Sequence, residues 1–244
     1  MSHTINVLRL LLNALHLHKP PLPNVVGIEL LNEPQPPSDD VLKTWYKQAI
    51  KILSTTEPGL PIYIGDCWRP ESYADFINSL HSSPFVVIDH HLYRCFTSQD
   101  TSTSASEHAR ALTDPNAHTP RIFSQISQTV PVVVGEWSGA LNPGSLQLSA
   151  DEREAKRLFV EAQLNLFERH CSGWFWWTYK KEHSGDTGWS FRDAVESGVF
   201  PSSIGMKAKK AYISDSDKSA QQQRGIKARD KALGTSDCHG CTCS

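Results

Sequence analysis

Long apolar runs are missing from this sequence, and so is an excess of charge of either sign. No stretch approaches the ~18 consecutive apolar residues of a membrane-spanning helix, which excludes a helical span. With 24 Lys+Arg against 26 Asp+Glu in 244 residues the formal net charge is −2. No block of basic residues stands out, so there is no field to hold nucleic acid or an anionic membrane surface. There is no Asn-x-Ser/Thr sequon. A signal-peptide plan is absent too, because Leu10, Leu11 and Leu12 run into Asn13, His16 and His18 without a small-residue cleavage site. Cysteine is sparse where the chain is apolar: Cys67, Cys95 and Cys171 are scattered singly, while Cys238, Cys241 and Cys243 crowd the end. These absences point to a reducing, cytoplasmic compartment.

What is present reads as a βα alternation long enough for a sizeable core. Ile5, Leu8, Leu12 and Leu15 recur at helical spacing over Thr4 to Leu17, and Pro20-Pro21 stop that helix. The run Val25 to Leu31 is apolar on both faces, as a buried parallel strand is. A helix over Val41 to Ser54, capped by Asp39 or Asp40, ends before Pro58-Gly59. The pattern continues with strand Ile62–Gly65, helix Glu71–Leu80 and strand Phe85–His91. A Ser/Thr-rich loop with short helical pieces follows, then strand Val132–Gly135, helix Ala150–Arg169 and strand Trp174–Thr178. Five β segments separated by helices and lacking hairpin turns predict an all-parallel sheet with right-handed crossovers. From Ser214 the composition turns to Asp, Lys, Ser and Gln, the mark of a disordered tail.

Functional groups of parallel α/β folds gather at the carboxyl ends of strands. Here those ends read Asn32-Glu33-Pro34, Asp66-Cys67-Trp68, Asp89-His90-His91-Leu92-Tyr93, Glu136-Trp137-Ser138 and Trp176-Trp177-Thr178-Tyr179. Glu33 and Glu136 each close a strand, with aromatic rings nearby. Two carboxylates are the minimal kit for cleaving a glycosidic bond: one protonates the leaving oxygen and the other faces the oxocarbenium-like centre. Either alone could be an ordinary strand-end acid. His91 and Tyr93, two residues apart, share one strand face, and His90 takes the other, where a buried, satisfied imidazole is expected. Asn32 and Glu33 are adjacent and would point to opposite faces, so both can serve one site only if that strand end is irregular.

Ile28-Glu29-Leu30-Leu31-Asn32-Glu33-Pro34, Asp89-His90-His91-Leu92-Tyr93, Gly135-Glu136-Trp137-Ser138 and Gly173-Trp174-Phe175-Trp176-Trp177, in this order, resemble glycoside hydrolase family 5. Within it they are most similar to the fungal exo-β-1,3-glucanase group. The resemblance implies a (β/α)8 TIM barrel and a retaining double displacement on β-glucan that needs neither metal nor cofactor. It implies Glu33 as acid/base and Glu136 as nucleophile, with Tyr93 hydrogen-bonded to the nucleophile and His91 in contact with substrate. Asn32 would bind the sugar 2-hydroxyl. Trp177 would be the sugar platform, turned inward by a cis peptide to Thr178, with Trp174 and Trp176 as core or rim rings.

The resemblance covers the fourth to eighth strands of such a barrel. The expected architecture is therefore an incomplete barrel over residues 1–213, followed by the polar Cys-containing tail 214–244. Two open sheet edges would be an aggregation liability, and an inactive or carbohydrate-binding half-barrel is the alternative to a working glucanase. A metal-dependent hydrolase using Asp66, His90 and His91 lacks a third ligand set by an outer partner. The tail's Cys238-His239-Gly240-Cys241-Thr242-Cys243 lacks the second ligand pair of a zinc site. His16 and His18 suit the carbonyl end of their helix.

Overall fold

Short, doubly apolar segments can satisfy both of their faces only between a barrel interior and a layer of helices, and that is where this chain places them. The computed structural model describes residues 2–19, 22, 24–57, 59–80, 85–147 and 149–202. In chain order they form α1 (Ser2–Leu17), β1 (Ile28–Glu29), α2 (Asp39–Thr56), β2 (Ile62–Gly65), α3 (Pro70–Asn78), β3 (Val86–Leu92), α4 (Ser98–Ser102), α5 (Ala105–Thr113), α6 (His118–Ile126), β4 (Val132–Trp137), α7 (Pro143–Leu146), α8 (Glu152–His170), β5 (Gly173–Trp176) and α9 (Phe191–Glu196). The compact unit ends at Phe200. The expected tail, 214–244, lies outside the described residues.

All five strands are parallel and lie in the order β1-β2-β3-β4-β5. A sheet wound back on itself would reverse that order partway. Strictly consecutive order with right-handed crossovers keeps every helix on one side and leaves the other side as an interior. The architecture is half of a (β/α)8 barrel, with β1 and β5 as free edges among the described residues.

Each helix is seated by an apolar stripe. α2 buries Leu42, Trp45, Tyr46, Ala49, Ile50 and Leu53, and the Tyr46 hydroxyl donates to the carbonyl of Gly65 at 3.0 Å. Burying a side chain the size of Leu53 contributes about 1.5–3 kcal/mol. Its cap is Ser38, not Asp39 or Asp40, because Ser38 has the extended backbone and accepts from Val41 N–H. α8 turns Phe159, Val160, Leu164 and Phe167 inward. On its exposed side Arg157 pairs with Glu154 and Glu161. The predicted His16 contact with its own helix end gives way to a hydrogen bond with Glu57 at 2.8 Å.

Two strands are shorter than their apolar runs. β1 is confined to Ile28–Glu29, although Leu30 N–H still donates to Tyr63 O at 3.1 Å. β5 stops at Trp176 rather than Thr178. Both are edges, paired along one side only, so the ladder frays where no second neighbour holds it. β4 runs two residues longer than its apolar run, through Glu136 and Trp137.

Candidate active site

β3 is buried along all seven residues, yet three of them, Asp89, His90 and His91, are polar. Buried polar groups require partners. His90 finds its own on the helix side, where Nδ1 lies 2.6 Å from Asp66 Oδ2 and the ring meets Phe123 edge-on at 5.2 Å. This is the satisfied imidazole expected of its parity. Asp66 and His90 are spent on each other, away from His91, so the metal-hydrolase trio does not assemble.

Asp89 and His91 face the interior, and two irregularities bring the carboxylates to them. The first is at the end of β1. Glu33 adopts φ 39°, a left-handed conformation uncommon for a residue with a Cβ. The backbone here is no longer extended, so the alternation that would separate Asn32 from Glu33 does not apply. Glu33 Oε1 lies 2.8 Å from His91 Nδ1, and Asn32 lines the same inner cavity as Glu136. The second is in β4, where the register with β3 shifts between His90 and His91: His90 faces Val134 and His91 faces Glu136, skipping Gly135. Such a bulge sets two successive residues on one face. Val133, Gly135 and Glu136 all line the interior, and Trp137 is left to the helix side against Phe167, Trp174 and Trp176.

Ligating atoms of Glu33, His91 and Glu136 all lie within 4.8 Å of one another. The Tyr93 hydroxyl donates to Glu136 Oε2 at 2.8 Å. Burial, and then that bond to Glu136, raises the phenol's pKa, so it stays a donor. His91 Nδ1 is also 3.6 Å from Glu136 Oε2, and its Nε2 is 3.3 Å from Asp89 Oδ2. Burial alone would lower the pKa of this ring. The surrounding Asp89, Glu33 and Glu136 outweigh it and push the ring up to about 9. Glu29, open at the free edge but crowded at its carboxyl, is pushed up to about 8 by desolvation first and by Asp89 next.

Two cavities meet at His91. One of about 570 Å³ is lined by Glu33, Trp68, His91, Tyr93, Arg94 and Phe96. The other, of about 480 Å³, holds Glu29, Asn32, Asp89, Glu136 and Trp177. Trp177 is 53% exposed, and its peptide bond to Thr178 is cis. Trp174 and Trp176 pack on Phe200 as rim and core rings. Glu29, Asp89 and His91 form a second group of ligating atoms within 4.8 Å. Both groups need the one imidazole, so they share a single ligand rather than forming two independent sets.

Sequence reasoning assigned no part to Asp89, Glu29, Gly135 or Trp68. The parity that paired His91 with Tyr93 reaches back to Asp89 as well. Trp68 sits in the outer cavity at φ 57°, a turn that no sequence pattern announced.

A parallel half-barrel bearing two carboxylates and an aromatic rim at its carboxyl-terminal strand ends is the scaffold of a carbohydrate-active (β/α)8 protein. The cellulase model, glycosyl hydrolase family 5, matches residues 21–183; this chain belongs to that family. It is 35% identical over 176 residues to glucan 1,3-beta-glucosidase 3 of Schizosaccharomyces pombe, covering 72% of this chain and 36% of the relative. It is 30% identical over 238 residues to the probable glucan 1,3-beta-glucosidase A of Aspergillus terreus, covering 82% and 54%. The chain thus spans about a third to a half of these relatives' lengths. Among solved structures it superposes on the rutinosidase from Aspergillus niger with a TM-score of 0.62 at 16% identity, over 82% of this chain and 57% of that one. That likeness is one of fold.

Proposed function

We propose that this chain carries the carboxylate pair of a retaining glycoside hydrolase acting on β-glucan, with β-1,3-linked glucan as the substrate. The observation that carries the reading is the junction of Glu33 and Glu136 through His91, with their ligating atoms inside 4.8 Å. Oxygens that close suit the short spacing of retaining enzymes, ~5–5.5 Å between carboxyl groups. Glu136 attacks the anomeric carbon, and Glu33 gives its proton to the departing glycosidic oxygen. A water then enters; Glu33 takes its proton, the hydroxyl adds to the sugar and Glu136 is released. The Tyr93 hydroxyl holds one oxygen of Glu136 so that the other faces the sugar. Asn32 takes the 2-hydroxyl, and the half-exposed Trp177 supplies a stacking face. The relatives' names, glucan 1,3-beta-glucosidase 3 and probable glucan 1,3-beta-glucosidase A, set the linkage proposed.

A second reading rests on the free edges of β1 and β5 and on the fraction of the relatives spanned: the chain by itself is an inactive half-barrel. Incubating the purified chain with laminarin and with a chromogenic β-glucoside separates the two. A chimera in which three further βα units of a full-length relative precede Ser2 serves as the comparison. Hydrolysis with net retention by the chimera supports the carboxylate roles. Inversion of the anomeric centre overturns them.

A further inference from the structure

Among the described residues, Asp89 is the most conspicuous group that the mechanism above leaves unused. It is 5% exposed, and its Oδ1 has no hydrogen-bond partner. A buried carboxylate is costly even with Glu29 hydrogen-bonded to it, and the chain makes room for it at the expense of another residue. A Cβ built on Gly135 would lie 2.0 Å from Asp89 Oδ1 and 2.5 Å from its carboxyl carbon. Gly135 is the residue skipped by the register shift between β3 and β4. The bulge, the missing side chain and the buried acid are therefore one device. Its output is the placement of Asp89 Oδ2 against His91 Nε2, at 3.3 Å.

We propose that Asp89 is a positioning residue of the glycosidase centre, accepting from Nε2–H so that the Nδ1–H of His91 is held between Glu33 and Glu136. The proposal rests on the glycosidase reading of those two acids. Two carboxylates this close repel each other, and a cation lodged between them is what lets both approach one sugar. Asp89 keeps that cation in place from behind. Nδ1–H is hydrogen-bonded to Glu33 at 2.8 Å, and the ring's charge lies 3.6 Å from Glu136, close enough to act on it without a hydrogen bond.

The neighbours of the ring fit this role. Glu29 reaches it from β1, Glu33 from the turn after β1, Tyr93 from beyond β3 and Glu136 from β4. β2 presents Tyr63, and the turn after it presents Cys67 and the Asp66 already bound to His90. Among the described residues no Lys or Arg pairs with the ring, and its counter-charges are carboxylates. The elevated affinity of His91 for its proton, up to about 9, agrees with the arrangement.

Ring ¹⁵N–¹H spectra of the labelled chain across pH test it directly. His91 should hold protons on both nitrogens at pH 7 and titrate near 9. In Asp89→Asn, which keeps the shape, the midpoint should fall by about one unit or more. In the chimera, the same change should lower kcat on laminarin by at least about tenfold, the scale on which orienting carboxylates act. KM should stay within about twofold, and the alkaline limb of the pH profile should move to lower pH. A wild-type ring that titrates near 6.5, or a midpoint unmoved by Asp89→Asn, overturns the proposal. If the variant does not fold, the wild-type titration still decides. If the midpoint shifts as expected but the chimera hydrolyses nothing, the Asp89–His91 pairing stands and the glycosidase reading falls.

Discussion

At the scale of single residues, position in the chain and position in space part company at Glu33. It follows Asn32 directly, and a left-handed backbone at φ 39° brings both to the two cavities that meet at His91, Glu33 to the outer and Asn32 to the inner. Its assigned role predicts a substrate-dependent defect. Glu33→Ala should cost laminarin turnover roughly 10²–10⁴-fold in an active barrel, the usual worth of general acid catalysis. An aryl β-glucoside with a good leaving group needs little protonation and should suffer far less in its first step. Equal losses on both substrates would show that Glu33 is not the acid. Glu136→Ala should abolish both reactions, because no nucleophile remains. Gly135→Ala tests the space beside Asp89: its methyl must displace a buried carboxylate, and overpacking of that kind costs about 1–3 kcal/mol. Denaturant unfolding of Gly135→Ala that superimposes on wild type would mean the carboxylate moves freely.

At the scale of elements, caps and edges decide where the periodic pattern stops. α8 begins at Asp151, whose Oδ1 accepts from the N–H groups of Arg153 and Glu154 at 3.0 and 3.1 Å. Asp151→Ala should lower stability by about 1 kcal/mol, whereas Asp151→Ser should be close to neutral; calorimetry of the two side by side checks the cap. Helix interiors were legible in the sequence because apolar residues recur along one face. α7 and α9, four and six residues long, were not, since so few residues display no period. Strand lengths were legible only approximately. An apolar run records that a segment is buried, while the ladder also needs neighbours, and β1 and β5 have one each.

At the scale of the whole molecule, two properties of the half-barrel are open to measurement. The edges carry exposed apolar groups, with Val26 67% and Phe175 59% accessible, and β1 offers an unpaired row of backbone groups on its outer side. The chain should therefore self-associate in a concentration-dependent way, and Val26→Lys, which charges that edge, should weaken the association. Sedimentation that reports a monomer at every concentration would contradict this. The second property is pH dependence. His91 binds its proton more tightly in the fold, rising from 6.5 to about 9, and Glu29 does so from 4.5 to about 8. A raised pKa contributes stability that is whole below the unfolded value and disappears as pH climbs through the folded one. His108 and His170, whose pKa values burial lowers, act the other way but only up to about 6.5, so the thermal midpoint should decline from about pH 7 to about pH 9. A midpoint that rises over that interval would exclude both shifts.

The sequence by itself determined the parallel βα order, the strand-end motifs and the opposite parities of His90 and His91. Each of these depends on residues close in the chain, through burial, side-chain alternation and capping. The tertiary structure alone decided what those residues meet. Glu33 and Glu136 come from different strands, and their approach required a left-handed residue after β1 and a bulge at Gly135. The charge on His91 depends on Asp89, Glu33 and Glu136 at once, and Glu29 holds its proton because burial desolvates it first and Asp89 of β3 crowds it next. Such couplings are sums over distances between segments remote in sequence, and distance is set by packing.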